Sequence, residues 1–304
     1  MRFMMWLDSN LGGWAFRFIL FFPMLYFFVR RTESRRASLD YLSNVESSYP
    51  KALGRGPLWW YSYRQFYSFG LSLRDKYRAW LENPGDIAMA ADEEKMLFEA
   101  AAGDKGCMLI GSHFGNLEYC RGIAHRHPNL TINILIYDQH AKKFAALIER
   151  ADPESRMNLI QVTDVDMDLA FKLNAKVQDG EWVIIAGDRV PVGDSERVCE
   201  VSFFGRPARL PIGPYVLATL LQCPVYLLHC FRLDGNYQLV MQQFEEEIRP
   251  ARGSRHEAYA KYAQKFASAL ESQVIRAPLQ WFNFYDFWEI PVDISSVPLP
   301  SSPK

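Results

Sequence analysis

The sequence has little of what a disulfide framework or a zinc site needs. Its five cysteines are an odd number and form no C-x-x-C pair, which argues against both. An excess of charge of one sign is also lacking, because 34 basic and 35 acidic residues give a formal net charge of -1. Such a chain has no global electrostatic basis for binding nucleic acid. We therefore expect a reducing compartment, no metal site and no nucleic acid partner.

Internal repeats and long linkers are missing too, since the only linker-like stretch is the Pro/Ser-rich end after Ser295. About half of the 304 residues are apolar, which is enough for a substantial core. We predict an N-terminal segment, residues 1–36, followed by one domain, residues 37–304. Within that domain we expect an aromatic-rich helical segment at 37–100 and an α/β core at 101–294.

One long apolar run does occur, GWAFRFILFFPMLYFFVRR from Gly13, interrupted by Arg17 and Pro23. As a helix, residues 15–29 would rise about 22 Å, short of the roughly 30 Å hydrocarbon core, and an arginine inside it is costly. No small-residue cleavage site follows, which disfavours a signal peptide. The arginines after the run suit a cytoplasmic surface with anionic lipid. We predict a membrane anchor or interfacial helix; a helix buried in the protein is the alternative.

From Gly106 onward, short apolar runs alternate with amphipathic stretches. The apolar runs are CMLIGS, LTINILIY, RMNLIQV and EWVIIAGD, and helix-like stretches such as DQHAKKFAALIERA and DLAFKLNAKVQDG lie between them. This alternation is typical of an α/β domain with a largely parallel central sheet flanked by helices. Further on, VCEVSFFG precedes a helix-like LPIGPYVLATLLQ, and two runs separated by residues 234–236 predict a hairpin before a final helix.

Aromatic residues are dense in two further segments, WWYSYRQFYSFG from Trp59 and QWFNFYDFW from Gln280. The first has too many rings for one helical stripe, so either part of it faces lipid or the helix is buried on all sides. The second either packs across the core or makes a second membrane contact, because aromatic rings collect at membrane interfaces. The sequence leaves both choices open.

The stretch GSHFGNLEYC follows an apolar strand and places His113 at the bend. A histidine there can act as a general base because its ordinary pKa is about 6.5. Gly115 permits the bend, and Asn116 is a good N-cap for the following helix. Glu118 would then lie near the positive end of that helix, fix the ring tautomer and stabilise the imidazolium. The alternatives are a capping or core histidine, and Ser112 as a nucleophile.

HFGNLE resembles the H-x4-D/E signature of the lysophospholipid acyltransferase superfamily. The order of an apolar N-terminus, this block, VIIAGD at 183–188 and SFFGRPARLPIGPYVLA at 202–218 is similar to its bacterial branch, the late lipid A (lauroyl/myristoyl) acyltransferases. The resemblance covers about residue 10 to residue 290. It implies a glycerolipid acyltransferase-like fold with a membrane-associated N-terminal helix. FFGRPAR lacks the acid of the F-P-E-G block found in glycerol-phosphate acyltransferases, which disfavours a glycerol 3-phosphate acceptor.

The resemblance implies a membrane-associated enzyme on the cytoplasmic face of the bacterial inner membrane. Such an enzyme moves a fatty acyl group from a thioester of acyl carrier protein or coenzyme A to a hydroxyl or amine of a lipid or glycolipid acceptor. No cofactor is implied, and His113 and Glu118 match the catalytic pair. The residues predicted to contact substrate are Asn116, Asp188, Arg189, Arg206 and Arg209.

Arg189 is the first candidate for a phosphate or oxyanion contact because a guanidinium offers a fixed fork of donors. An ion pair with Asp188 or another acid is the alternative for Arg189. Arg206 and Arg209 are the next candidates, and the alternative for both is plain surface charge.

Two other functions stay open. Three acids occur at alternating positions in TDVDMD: Asp164, Asp166 and Asp168. They resemble the D-x-D metal site of glycosyltransferases, although solvated acids at a helix N-terminus explain them as well. The second possibility is a non-catalytic lipid- or carrier-binding protein in which His113 and Glu118 are structural. HRHPN places His125 and His127 in a predicted solvated loop.

Overall fold

A computed structural model gives the architecture of most of the chain. It describes residues 13–81, 87–120, 123, 127, 130–136, 157–162, 167–190, 197–251 and 253–288. The helix-like stretch DQHAKKFAALIERA lies outside the described residues, as do Asp164, Asp166 and His125.

A central sheet dominates the fold. Its strands are β1 (Met108–Gly111), β2 (Ile132–Ile136), β3 (Met157–Gln161), β4 (Trp182–Ala186), β7 (Val225–Leu233) and β8 (Asn236–Glu245). Their spatial order is β3-β2-β4-β1-β7-β8. The first five strands in this order pair in parallel, and β8 pairs antiparallel with β7. The predicted α/β class with a largely parallel sheet is confirmed, and so is the predicted hairpin.

The register of β1 and β4 decides where the functional site lies. β1 is buried along its whole length, and so is nearly all of β4, as continuous apolar runs in parallel sheets usually are. Gly111, the last residue of β1, lies opposite Ala186, the last residue of β4. The segments that follow the two strands therefore leave the sheet side by side.

Two further strands, β5 (Val198–Phe203) and β6 (Arg206–Pro211), form a separate antiparallel hairpin. The sequence predicted the first strand, assigned no element to residues 206–209 and began a helix-like stretch at Leu210. Residues 206–211 form a strand because Phe204 and Gly205 both adopt positive φ angles, 50° and 71°, which makes a two-residue turn of the kind that hairpins favour. The helix begins only at Gly213.

Seven helices are described. They are α1 (Gly13–Arg30), α2 (Thr32–Ser48), α3 (Leu58–Leu81), α4 (Ala91–Ala102), α5 (Met167–Gln178), α6 (Gly213–Leu221) and α7 (Arg255–Val274). Alternate residues of the strands point to opposite faces of the sheet. One face packs against α2, α5, α6 and α7, and the other packs against α4. Two short 3-10 helices, Leu117–Cys120 and Pro278–Gln280, complete the site region.

Helix α1 packs on α3 through one face only. Phe16, Leu20 and Met24 are buried against Tyr63 of α3, while the other side of α1 exposes large aromatic rings such as Trp14, 77% exposed. In the described residues, α1 is the one helix long and apolar enough to cross a membrane. The predicted helix is confirmed; the domain boundary at residue 36 stays a prediction.

The rings of α3 divide between buried and exposed positions. Tyr61, Tyr63 and Phe66 are buried in the protein. Trp59 and Trp60 are exposed beside α1, where Trp60 stacks on Tyr63. The helix is therefore buried along most of its ring-bearing surface and exposed at Trp59 and Trp60.

Candidate active site

His113 and Asp188 meet at the carboxyl edge of the sheet. His113 lies two residues beyond β1, and Asp188 lies two residues beyond β4. Because these strands are parallel neighbours, both residues emerge at the edge where open α/β sheets bind ligands. We call residues 112–116 the histidine turn.

Three hydrogen bonds hold the Asp188 carboxylate. The ring Nδ1 of His113 lies 2.8 Å from Oδ1. The backbone N–H of His113 donates to Oδ2 at 2.9 Å, and the indole Nε1 of Trp281 donates to the same oxygen at 3.1 Å. Asp188 is only 1% exposed, so these protein groups replace its hydration.

The charge of Asp188 sets the tautomer of His113. Burial by itself raises the pKa of the Asp188 carboxyl, but the charge of His113 and the hydrogen bonds outweigh burial, and the pKa lies below its ordinary value. An ionised carboxylate can only accept, so Nδ1 of His113 carries the proton that it donates. In the neutral ring Nε2 then keeps its lone pair, and the side chain is 37% exposed. This is the arrangement that a general base requires.

Glu118, predicted as the partner of this ring, points elsewhere. Its carboxylate forms an ion pair with Lys76 of α3 at 2.7 Å. The prediction that Glu118 orients His113 is corrected by this geometry, because Asp188 occupies the position at Nδ1. Asp188 was itself among the predicted substrate contacts, and the structure makes it the hydrogen-bond partner of His113 instead.

The path of the chain after His113 explains why Glu118 turns away. Gly115 forms a bridge with Cys230 of β7, and the N–H of Asn116 donates to the Cys230 carbonyl at 2.6 Å. Gly115 has a φ of 74°, and a Cβ there would lie 2.0 Å from that carbonyl oxygen, so only glycine fits. The turn is thereby fastened to β7, and the following 3-10 helix directs Glu118 toward α3.

Asn116 precedes that 3-10 helix, in the N-cap position predicted for it, and is 1% exposed. In the orientation that satisfies both ends of its amide, Nδ2 donates to Glu118 Oε2 at 2.7 Å and the oxygen accepts from the Lys76 N–H at 3.2 Å. Asn116 therefore joins the histidine turn to α3. Its predicted contact with substrate stays a prediction.

The aromatic segment of residues 280–288, which we call the tail, packs behind the site. The backbone N–H of Phe282 donates to the His113 carbonyl at 3.1 Å, and Gly115 donates to the Gln280 carbonyl at 2.8 Å. Trp281 is fully buried against Tyr41 of α2. Packing of the tail in the core is confirmed, and Trp281 joins the site as a residue that the sequence did not single out. Its N–H, which a buried indole must satisfy, is the only signal that marks it.

Arg189 lies beside the pair on the exposed side. Its guanidinium carbon is 5.4 Å from the ring centroid of Tyr285. Although it follows Asp188 directly, Asp188 already takes its donors from His113 and Trp281. The alternative of an Asp188–Arg189 ion pair is therefore not what the structure has, and the guanidinium stays accessible.

Arg206 and Arg209 are held within the β5–β6 hairpin region. Arg206 donates to both carboxylate oxygens of Asp40 at 2.8 and 2.9 Å and lies over the Trp288 ring. Arg209 lies 3.9 Å from Glu200. These contacts give Arg206 a part in fixing the tail, and the substrate contacts proposed for both arginines stay predictions.

A second histidine lies behind the turn. Ser112 Oγ accepts from the Phe114 N–H at 3.3 Å and lies 3.4 Å from Nδ1 of His229 on β7. Both residues are buried, and burial lowers the pKa of His229 to about 4, so its ring is neutral at pH 7. Ser112 is only 5% exposed, so its hydroxyl is closed to a substrate, which argues against a nucleophile.

The other candidate residues lie away from this site or give no cluster. Asp168 is exposed in the first turn of α5, and the His127 ring packs on Phe98 of α4. Within the described ranges, no group of three or more His, Cys, Asp or Glu side chains is placed to hold a metal ion.

Comparison with known proteins adds one finding. A family model described as bacterial lipid A biosynthesis acyltransferase matches residues 63–289. The matched range contains His113, Glu118, Asp188 and Trp281, and so includes the whole site. No curated protein matches the chain.

Proposed function

Because this chain belongs to the bacterial lipid A biosynthesis acyltransferase family and is an acyltransferase, we propose that His113 is its general base and Asp188 the partner of that base. The donor is a fatty acyl thioester of acyl carrier protein or coenzyme A. The acceptor is a hydroxyl or amine of a lipid or glycolipid. The observation that carries this proposal is the 2.8 Å contact between His113 Nδ1 and a buried, ionised Asp188.

The reaction follows from the free lone pair of His113 Nε2. As the acceptor oxygen or nitrogen attacks the thioester carbon, Nε2 takes its proton, and Asp188 stabilises the resulting imidazolium. Collapse of the tetrahedral intermediate breaks the carbon–sulfur bond. The imidazolium then returns the proton to the thiolate, so the acylated acceptor and free thiol leave while the protein is unchanged.

The tetrahedral intermediate carries an oxyanion that needs a donor. The four N–H groups of residues 113–116 already donate to Asp188, Ser112, Gln280 and Cys230. A side chain is therefore the better candidate, and Arg189 is exposed next to Asp188. We assign Arg189 the oxyanion or the phosphate of the donor, with Tyr285 holding its guanidinium in place.

The exposed side of α1 supports a membrane contact. The helix has 18 residues, about 27 Å, and one face is committed to α3. We propose that it lies in the interface with Trp14, Phe18 and Phe22 toward the acyl chains. Arg35 donates to the carbonyls of Phe28 and Val29, which satisfies the end of α1. The arginines that follow favour the cytoplasmic face of the inner membrane.

Acyl transfer tests the catalytic assignment. Purified protein in detergent is given acyl carrier protein and coenzyme A thioesters, with and without a lipid acceptor, and thiol release is measured. We expect His113→Ala to lower turnover about a hundredfold or more. His256→Ala is the matched control, because His256 is exposed on α7. Equal activity of the His113 variant and wild type would remove the proposed mechanism.

Vesicle flotation tests the membrane assignment. We expect Phe18→Ser with Phe22→Ser to release the protein from anionic vesicles. Phe171→Ser changes an exposed ring on α5 and serves as the control. If the α1 variant floats as wild type does, α1 is not the membrane contact.

A further inference from the structure

A cleft of about 500 Å³ lies behind the histidine turn. Its walls come from α1, α3, Gly115 of the turn, the β7–β8 hairpin and the tail. Arg17 of α1 and Arg232 of β7 both line it. The volume lies in the range of small-molecule sites, and His113 and Asp188 are not among the lining residues.

The charges in this cleft favour an anion. Arg232 is held by its Nε, which donates to the Gly235 carbonyl at 2.8 Å, and lies 3.6 Å from the buried Asp75. Asp75 also accepts from the Tyr237 hydroxyl at 2.9 Å. The charged residues of the lining are Arg17, Arg232 and Asp75, so the lining keeps one net positive charge. A phosphate is the anion that guanidinium groups bind with paired donors.

Arg17 places the cleft beside the side of α1 that we propose faces the lipid. Its neighbours Phe18, Phe21 and Phe22 are exposed rings on the same helix, and in the described part of the chain no carboxylate pairs with Arg17. An arginine in such a helix is costly in a bilayer unless it faces a polar cavity or an anionic head group. The position of Arg17 in the wall of the cleft supplies the first condition.

The cleft is connected mechanically to the histidine turn through Gln280. The side chain of Gln280 accepts from the Arg232 N–H at 2.8 Å and donates to the Arg232 carbonyl. The backbone carbonyl of the same residue accepts from Gly115. A ligand that fixes Arg232 therefore also fixes the residue that holds the turn.

We propose that this cleft binds the phosphate of a lipid head group between Arg17 and Arg232, separately from the site of acyl transfer. The bound head group ties α1 to the histidine turn. The assignment rests on the proposed function only for the placement of α1 at a membrane surface.

The probe is dioctanoyl phosphatidylglycerol in micelles of an uncharged detergent, and the readout is thermal unfolding of the full chain. At a hundredfold excess over its Kd we expect the midpoint to rise by about 5 °C. Arg17→Gln should weaken binding about tenfold, the effect of losing a charged hydrogen bond. Arg232→Gln should do the same, and the exposed Arg17 variant carries the test if Arg232→Gln does not fold.

Three results would overturn the proposal. An equal shift with uncharged dioctanoylglycerol would mean that no phosphate is recognised. An equal shift with inorganic phosphate would assign the cleft to a free ion instead of a lipid. Arg64→Gln removes an exposed arginine stacked on Tyr61 of α3. If it weakens binding of the lipid as much as Arg17→Gln does, the effect is one of net charge and not of the cleft. The same titration in His113→Ala needs no turnover, so it stays readable if the catalytic assignment fails.

Discussion

Asp188 and Glu118 are two carboxylates that flank the histidine turn in opposite surroundings. Asp188 is 1% exposed and accepts three hydrogen bonds. The Glu118 side chain is 18% exposed and pairs with Lys76, whose side chain is 37% exposed. Glu118 is five residues from His113 and Asp188 is 75 residues away. The comparison teaches that adjacency of parallel strands, and not spacing along the chain, supplies the hydrogen-bond partner of His113.

The strongest test of this difference between the two carboxylates is to neutralise each of them in turn and measure turnover. The donors from the His113 backbone and Trp281 both bind Oδ2, so Asp188→Asn would keep its carbonyl oxygen there and turn its NH₂ toward Nδ1. The ring would then carry its proton on Nε2, and this nitrogen could no longer act as the base. We expect turnover to fall about 10³- to 10⁴-fold, as in comparable His–carboxylate pairs.

Glu118→Gln is the matched variant, and we expect it to lower turnover less than tenfold, since its partner Lys76 is half exposed. Thiol release at saturating donor gives both values. The reverse ranking of the two variants would return the role to Glu118.

Trp281→Phe sharpens the comparison by removing one donor from Asp188 only. The loss of the indole N–H leaves a buried carboxylate with fewer hydrogen bonds, which raises the pKa of Asp188 and loosens the ring of His113. We expect a decrease in kcat of about tenfold and an acidic limb of the pH–rate profile displaced upward. A decrease in kcat without any change in that profile would point to packing alone.

Acid unfolding gives a smaller, thermodynamic contrast. The pKa of Asp188 lies below its unfolded value, so its contribution to stability is present above about pH 3.9 and is lost as pH falls through the folded pKa. We expect Asp188→Asn to flatten the free energy of unfolding against pH in that window. Urea titrations at several pH values measure it, and an unchanged slope would contradict the assignment.

His229 also contributes to the pH dependence of the free energy of unfolding, because burial lowers its pKa to about 4. This contribution must be removed before that of Asp188 is measured. The folded state resists protonation of this ring, so stability falls between about pH 6.5 and pH 4. The measurement is therefore made in a His229→Gln background, which itself should lose the slope in the higher window.

The smallest effect is expected for Lys76→Met. The Lys76–Glu118 pair is partly exposed, and such pairs contribute about 0–1 kcal/mol. Methionine keeps the length of the side chain on α3, so we expect the free energy of unfolding to change by less than about 1 kcal/mol. A loss comparable to that of Asp188→Asn would show that the two carboxylates are equivalent in importance.

Much of the fold was predictable because strands and helices carry their own periodicity. The runs CMLIGS and EWVIIAGD became β1 and β4, and the apolar run from Gly13 became α1. The strand at 206–211 was missed because its turn depends on positive φ at Phe204, a residue that seldom adopts it.

The site was predictable in part. His113 was identified from its position after a strand, and that signal is local. The pairing with Asp188 depends on β4 lying next to β1, although an acid directly after VIIAG was a usable sign once a parallel sheet was inferred. The direction of Glu118 depends on the bond of Asn116 to Cys230, which joins residues more than a hundred positions apart.

The tail that pairs with the histidine turn has a consequence for the timing of biosynthesis. α1 leaves the ribosome first, whereas Trp281 and the backbone partners of His113 and Gly115 belong to the last described segment. A nascent chain thus exposes α1 long before Asp188 receives its indole donor. If α1 is the membrane contact proposed above, the chain reaches the bilayer before the His113–Asp188 pair is complete.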